Sequence, residues 1–224
     1  MSRLDASQRS WLEDQCSRYQ KTADQGALSY LAGRDIPAEV ADFYRLGLVL
    51  DAPPEHRRYE GMLSIPIIKR GVVQGMRFRC IREECKVNTR EESHGDADGP
   101  HPKFKSTPGA RTWLYGTDAM LSPSDEIEVT EGEPDAWTIR GALGLPVVSA
   151  PGVDTWKAHP WWALLFEGHR RVRLWADPDK AGRKLADQVA KDLGTKLMVV
   201  DLPDDVSWTY RDHGVGALIE AAGL

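Results

Sequence analysis

Apolar positions follow two different rhythms along the chain. In the first half the pattern is mixed. Residues 3–21 read as a polar helix, and residues 26–49 as two short helices around Gly33-Arg34-Asp35-Ile36-Pro37. Leu28, Leu31, Val40, Phe43 and Leu46 supply their apolar positions, with Gly47 as a C-terminal stop. Asp51-Ala52-Pro53-Pro54 breaks the pattern. A strand is predicted over 62–68, a turn at Lys69-Arg70-Gly71 and a second strand over 72–81. Alternation there puts Val73, Gly75, Arg77 and Arg79 on one side and Gln74, Met76, Phe78 and Cys80 on the other. Residues 82–102 are charged and poorly periodic, an exposed loop. A short strand at 103–107 follows, and Trp113-Leu114-Tyr115 returns to the core.

From residue 126 the rhythm changes to alternating strands and helices. Strands are predicted at 126–130, 146–150, 171–176 and 197–202. A helix opens at Pro134, a residue favoured at the first helical position. The helix 180–193 carries an apolar stripe of Ala181, Leu185, Ala186, Val189, Ala190 and Leu193 and stops at Gly194. A last helix is predicted at 214–222. The fold class is α/β, with a mainly parallel central sheet flanked by helices over 117–224. A smaller α+β subdomain precedes it over 1–116.

Composition narrows the function classes. The chain has 224 residues, 41% of them hydrophobic, enough for a real core. No apolar run reaches the length of a membrane span, and the N-terminus is polar, so a cytoplasmic protein with no membrane partner is expected. Three cysteines form no disulfide framework. The net charge of −5 hides an asymmetry. Residues 57–111 hold 12 Lys and Arg against 7 Asp and Glu, leaving the remainder near −10. A basic binding face beside an acidic one follows.

Two acidic stretches carry the chemistry. Glu131-Gly132-Glu133-Pro134-Asp135 follows Ile127, Val129 and Thr130; Asp177-Pro178-Asp179-Lys180-Ala181-Gly182 follows Val172, Leu174 and Trp175. Carboxylates at the ends of parallel strands converge on the sheet edge where ligands bind. Hard oxygen donors gathered there suit Mg²⁺ or Mn²⁺. Pro178 keeps Asp177 out of the helical region, so a turn can bring Asp177 and Asp179 to one site. Gly182 allows close backbone approach as the helix starts. The bland alternative is that these acids only complement helix dipoles.

Those two stretches, in that order and strand-helix context, resemble the Toprim domain shared by bacterial-type DNA primases, topoisomerases and certain nucleases. Upstream, Ala27 to Gly47, Ile65-Pro66-Ile67, Gly71 to Arg79, Lys103-Phe104-Lys105-Ser106-Thr107-Pro108-Gly109 and Leu114-Tyr115-Gly116 resemble bacterial-type primase cores. The nearest resemblance is to compact primase-like proteins of phages. It implies a metal-dependent DNA primase, a nucleotidyltransferase making short RNA primers on single-stranded DNA. Glu131, Asp177 and Asp179 would be catalytic and, with Asp205, would hold Mg²⁺ or Mn²⁺. Arg77, Arg79, Lys103 and Lys105 would contact template phosphates or ribonucleoside triphosphates. A replicative helicase or a separate template-recognition chain is an implied partner, in the host cytoplasm. After the strand at 197–202 the family often carries further acids, but Val206-Ser207-Trp208 replaces that polar continuation. No Walker A motif is present.

Other readings remain. Cys80, Cys85, His94 and His101 have zinc-ligand chemistry, but their spacing is looser than in zinc fingers, and zinc is not expected. Trp113, Trp161 and Trp162 would stack on bases or, the preferred reading, pack in the core. The alternatives to a primase are a Toprim nuclease and a non-catalytic single-strand-binding or helicase-associated module.

Overall fold

The computed structural model describes residues 4–82, 95–96, 99–100 and 102–224. The chain divides into two compact units: Met1–Gly33 with Pro37–Arg111, and Arg34–Ile36 with Thr112–Leu224.

The first unit holds helices α1 (Ala6–Gln20), α2 (Ala27–Ala32) and α3 (Ala38–Tyr44) and strands β1 (Gly47–Leu48), β2 (Leu63–Lys69), β3 (Val72–Arg79), β4 (Gly95–Asp96), β5 (Gly99–Pro100) and β6 (Phe104–Ser106). Asp5 and Gln8 close a reciprocal cap on α1. Strands pair in the order β1-β2-β3-β6, all antiparallel. Leu12, Cys16 and Tyr19 of α1 pack with Met76, Phe78 and Cys80 of the sheet. The β2–β3 turn has Arg70 and Gly71 at φ 52° and 72°, the left-handed pair that a two-residue hairpin requires.

Two expectations fail here for clear reasons. The register slips between Ile67 and Ile68, which face Gly75 and Val73, so Gln74 is an extra residue. This bulge flips the alternation. Val73 therefore joins Met76, Phe78 and Cys80 in the core rather than siding with Arg77 and Arg79. Gly47 is not a helix stop: α3 ends on Arg45 in the left-handed conformation. Gly47 instead starts β1, where a Cβ would lie 2.1 Å from the Tyr19 carbonyl oxygen. Most of the predicted loop 82–102 lies outside the described residues.

The second unit alternates β7 (Glu126–Thr130), α4 (Glu133–Leu143), β8 (Val147–Ser149), α5 (Val153–Lys157), β9 (Arg171–Trp175), α6 (Lys180–Leu193), β10 (Leu197–Val200) and α7 (Val206–Ala222). The sheet order is β10-β9-β7-β8, every pair parallel. Ile127, Val129, Val172 and Leu174 face a layer of Trp156, Trp162, Phe166, Leu185 and Val189. The opposite layer gathers Ala136, Ile139, Val206 and Leu218 from α4 and α7 around Trp175. Helices thus cover both faces, which a parallel sheet requires. The α6 stripe is narrower than its sequence suggests, since Ala181 and Ala190 are exposed.

On the face of Trp175, Glu128 is buried opposite Arg173. Arg173 donates to Glu128 at 2.7 Å and also to Glu126, while the Trp175 indole donates to Glu128 at 2.6 Å. Burial raises the Glu128 pKa, and the Trp175 and Arg173 contacts oppose that rise. The last helix starts eight residues before its predicted position, at Val206. Gly214, at φ 74° and ψ −179°, kinks it where the sequence suggested a beginning. Among the described residues no helix is long and apolar enough to cross a membrane.

Candidate metal centre and active site

Parallel pairing puts the C-terminal ends of β7, β9 and β10 on one edge of the sheet, and the acids cluster there. Glu131 comes directly after β7. The turn beyond it is held by a Thr130 hydroxyl bond to the Gly132 carbonyl at 3.0 Å. Ser149 at the end of β8 donates to the Glu131 carbonyl at 3.2 Å. Glu131 Oε2 is buried and has no hydrogen-bond partner among the described residues. Burial raises its pKa first, then the charges of Asp179 and Asp135; a bond from the Asp177 backbone lowers it in part.

Asp177 lies two residues beyond β9. A Cβ on Gly182 would fall 2.1 Å from the Asp177 carbonyl oxygen. Glycine there is what lets the first turn of α6 close onto the Asp177 backbone, as its position in the sequence anticipates. Asp177 is half-buried, and its carboxyl is pushed up to about 8, by burial and then by Asp135, Glu131, Asp205 and Asp179. Five carboxylates therefore feel one another across this edge.

Three of the acids each commit one oxygen to a helix N-terminus. Asp179 Oδ1 accepts from Gly182 N–H at 2.8 Å, capping α6. Asp205 Oδ1 accepts from Trp208 N–H at 2.8 Å, capping α7. Asp135 Oδ1 accepts from the N–H and hydroxyl of Ser207, at 3.2 and 2.9 Å. The helix-dipole reading of these residues is thus correct as far as one oxygen goes. Burial and Asp205 push Asp135 up to about 6, while Ser207 opposes that rise. Asp205 is also raised, mainly by burial. The Arg34 guanidinium lowers both Asp135 and Asp205.

Among the described residues no three His, Cys, Asp or Glu side chains already stand as a ready metal-ligand group. The donor chemistry nevertheless fits Mg²⁺ or Mn²⁺. All donors are carboxylate oxygens, one is buried without a partner, and their mutual repulsion is what a cation relieves. Sequence reasoning overlooked Ser207 and Arg34. Ser207 sits in the helical turn that was not recognised. Arg34 lies 97 residues before Glu131, and no local pattern ties the two together.

The basic residues lie in the first unit. Arg77 and Arg79 do share a face of β3, and both guanidiniums sit 4.8 Å from the Phe104 ring centre. Arg79 is only 5% exposed and also lies 5.5 Å from the Tyr30 ring, so much of its surface is taken up by packing. Lys105 pairs with Phe78 across the sheet and is half-buried, while Lys103 is exposed. Cys80 is buried in the core and its N–H donates to the Lys103 carbonyl. The remainder of the zinc set, Cys85, His94 and His101, lies outside the described residues. Trp162 is buried as expected, but Trp161 is 42% exposed.

No protein-family model matches the chain. Over 164 residues it is 32% identical to the Gene 57 protein of Mycobacterium phage D29, spanning 72% of this chain and 98% of that protein. The Aquifex aeolicus primase zinc-binding and RNA polymerase domains superpose with a TM-score of 0.75 at 19% identity. That match covers 98% of this chain but 62% of the Aquifex chain, less than two thirds of its length. A DnaG primase catalytic domain bound to single-stranded DNA gives a TM-score of 0.73 at 21% identity, over 98% of this chain and 80% of its own. The phage relative establishes kinship and the solved structures establish architecture: the chain belongs to the family of the phage D29 Gene 57 protein, built on the fold of the bacterial-type primase catalytic core.

Proposed function

We propose that this chain is a primase-type nucleotidyltransferase, joining ribonucleotides on a single-stranded DNA template with a divalent cation. The observation that carries this reading is the crowd of carboxylates at the C-terminal edge of the parallel sheet, within a primase-core fold. Burial, and after it the neighbouring acids, push Asp177 to about 8, a standing cost in the free protein, and perturbed acids of this kind mark functional sites.

Glu131, Asp177, Asp179 and Asp205 would hold Mg²⁺ or Mn²⁺. When bound, the cation neutralises charge on the triphosphate and makes the primer 3′-hydroxyl more nucleophilic. Glu131, whose pKa is raised by burial and whose Oε2 is unpartnered, is suited to accept a proton. Asp135, tied to Ser207, keeps the starts of α4 and α7 together and so fixes where Asp205 stands. In the first unit, Lys103, Lys105 and the Phe104-stacked Arg77 would bind phosphates of the template or the nucleotide, with the buried Arg79 packed beneath them. Binding of single-stranded DNA by a structural neighbour supports the choice of template. A replicative helicase or a template-recognition chain would deliver it.

The test uses labelled single-stranded DNA, Mg²⁺ and ribonucleotides. Wild type should yield short extended products, and Glu131→Gln should abolish them while leaving DNA binding intact. Wild-type primer synthesis by Glu131→Gln would overturn the site assignment. DNA cleavage without extension would replace the reading with a nuclease.

A further inference from the structure

The first turn of α7 is anchored on nearly every side. Val206, Ser207 and Thr209 are 1%, 5% and 1% exposed. Its free N–H groups are taken by Asp135 and Asp205. Trp208 alone points outward, 36% exposed, in the midst of these buried residues. The Arg211 guanidinium lies 4.1 Å from the Trp208 ring centre, and its side chain remains 46% exposed beside Asp212. The Trp208 backbone N–H bonds directly to the Asp205 carboxylate, so the residue that carries the indole is anchored next to Asp205.

A contact between residues three apart steadies a helix modestly. That role does not call for a large, partly exposed indole on an otherwise buried turn. A flat aromatic face paired with a guanidinium offers two complementary contacts, stacking for a nucleobase and charge for its phosphate. We infer that Trp208 and Arg211 form a base-stacking subsite beside the metal centre. Its ligand is a nucleobase bearing phosphate, from the template strand or from the incoming nucleotide. This deepens the proposed function and rests on it for the identity of the nucleic acid.

The experiment compares wild type, Trp208→Ala, Trp208→Tyr and Arg211→Ala in the full chain. Fluorescence anisotropy of a labelled single-stranded oligonucleotide reads the template arm. Titration with Mg²⁺ and a fluorescent ribonucleoside triphosphate reads the nucleotide arm. Thermal melting confirms folding. Trp208→Ala should weaken one arm by about 5- to 150-fold, the range for losing one stacked base, and the affected arm identifies the source. Trp208→Tyr keeps an aromatic face and should stay within about threefold of wild type. Arg211→Ala should lower the salt dependence of binding by about one phosphate contact. Wild-type affinity of Trp208→Ala in both arms overturns the inference, as does a wild type that binds neither ligand. Loss of binding in Trp208→Tyr equal to that in Trp208→Ala, with both folded, also overturns it. Should wild type bind DNA and lose it with Trp208→Ala, yet make no primers, the subsite stands and the polymerase reading falls.

Discussion

Replacing Asp177 with asparagine should make the metal-free protein more stable while destroying its activity. The native carboxyl has its pKa raised from 3.8 to about 8. A group raised in the folded state contributes stability that is complete below its unfolded value and is lost as pH rises through the folded one. Wild type should therefore lose stability steadily between about pH 4 and pH 8. Full conversion of that change at 1.36 kcal/mol per pH unit gives a ceiling of about 6 kcal/mol. Asp177 is only half-buried, and solvent screening reduces this to about 1–3 kcal/mol. At about 2–4 °C per kcal/mol for a chain of this size, Asp177→Asn should melt about 2–12 °C higher than wild type in EDTA at pH 8. The gap should shrink toward zero near pH 4. Differential scanning fluorimetry across pH measures it, with primer synthesis assayed alongside. A variant that melts below wild type at pH 8, or a gap that does not change with pH, would refute the electrostatic account of the site.

Adding Mn²⁺ to EDTA-treated wild type should raise the melting temperature at pH 7.5 and release protons into a weakly buffered solution; both effects should fade at pH 5, where Asp177 and Asp135 hold their protons. Gly182→Ala puts a methyl 2.1 Å from the Asp177 carbonyl oxygen and should cost about 1–3 kcal/mol or more in a denaturant melt, with primer synthesis lost through displacement of Asp177. Arg173→Met leaves Glu128 buried without its ion partner and should destabilise by about 3–5 kcal/mol, whereas the double change Glu128→Leu with Arg173→Met should recover most of that loss. A single Arg173→Met variant as stable as wild type would show that the pair is not electrostatically coupled.

Local chemistry made much of the second unit legible. The alternation of β7 and β9, Pro134 at a helix start, and the stripe of α6 all act over a few neighbouring residues. Glu131 and Asp177 were readable because strand ends in a parallel sheet must share an edge. What escaped notice was set by distant contacts. The first half of α7 carries Gly214 and Gly216 beyond it and a weak apolar pattern, so only its packing on α4 reveals it. Glu128 looks like an ordinary outward strand residue until Arg173 appears opposite it across the sheet. The bulge at Gln74 needed its partner strand before it could be seen.

Helix capping by Asp179 and Asp205 bears on how relatives should be read. A descendant that had lost catalysis would still keep both residues, because they tie down α6 and α7 whether or not a cation ever arrives. Survival of those two letters is therefore poor testimony to an active enzyme. Glu131 and Asp177 cap no helix, and burial works against the charge of both; they are the positions where decay would show first.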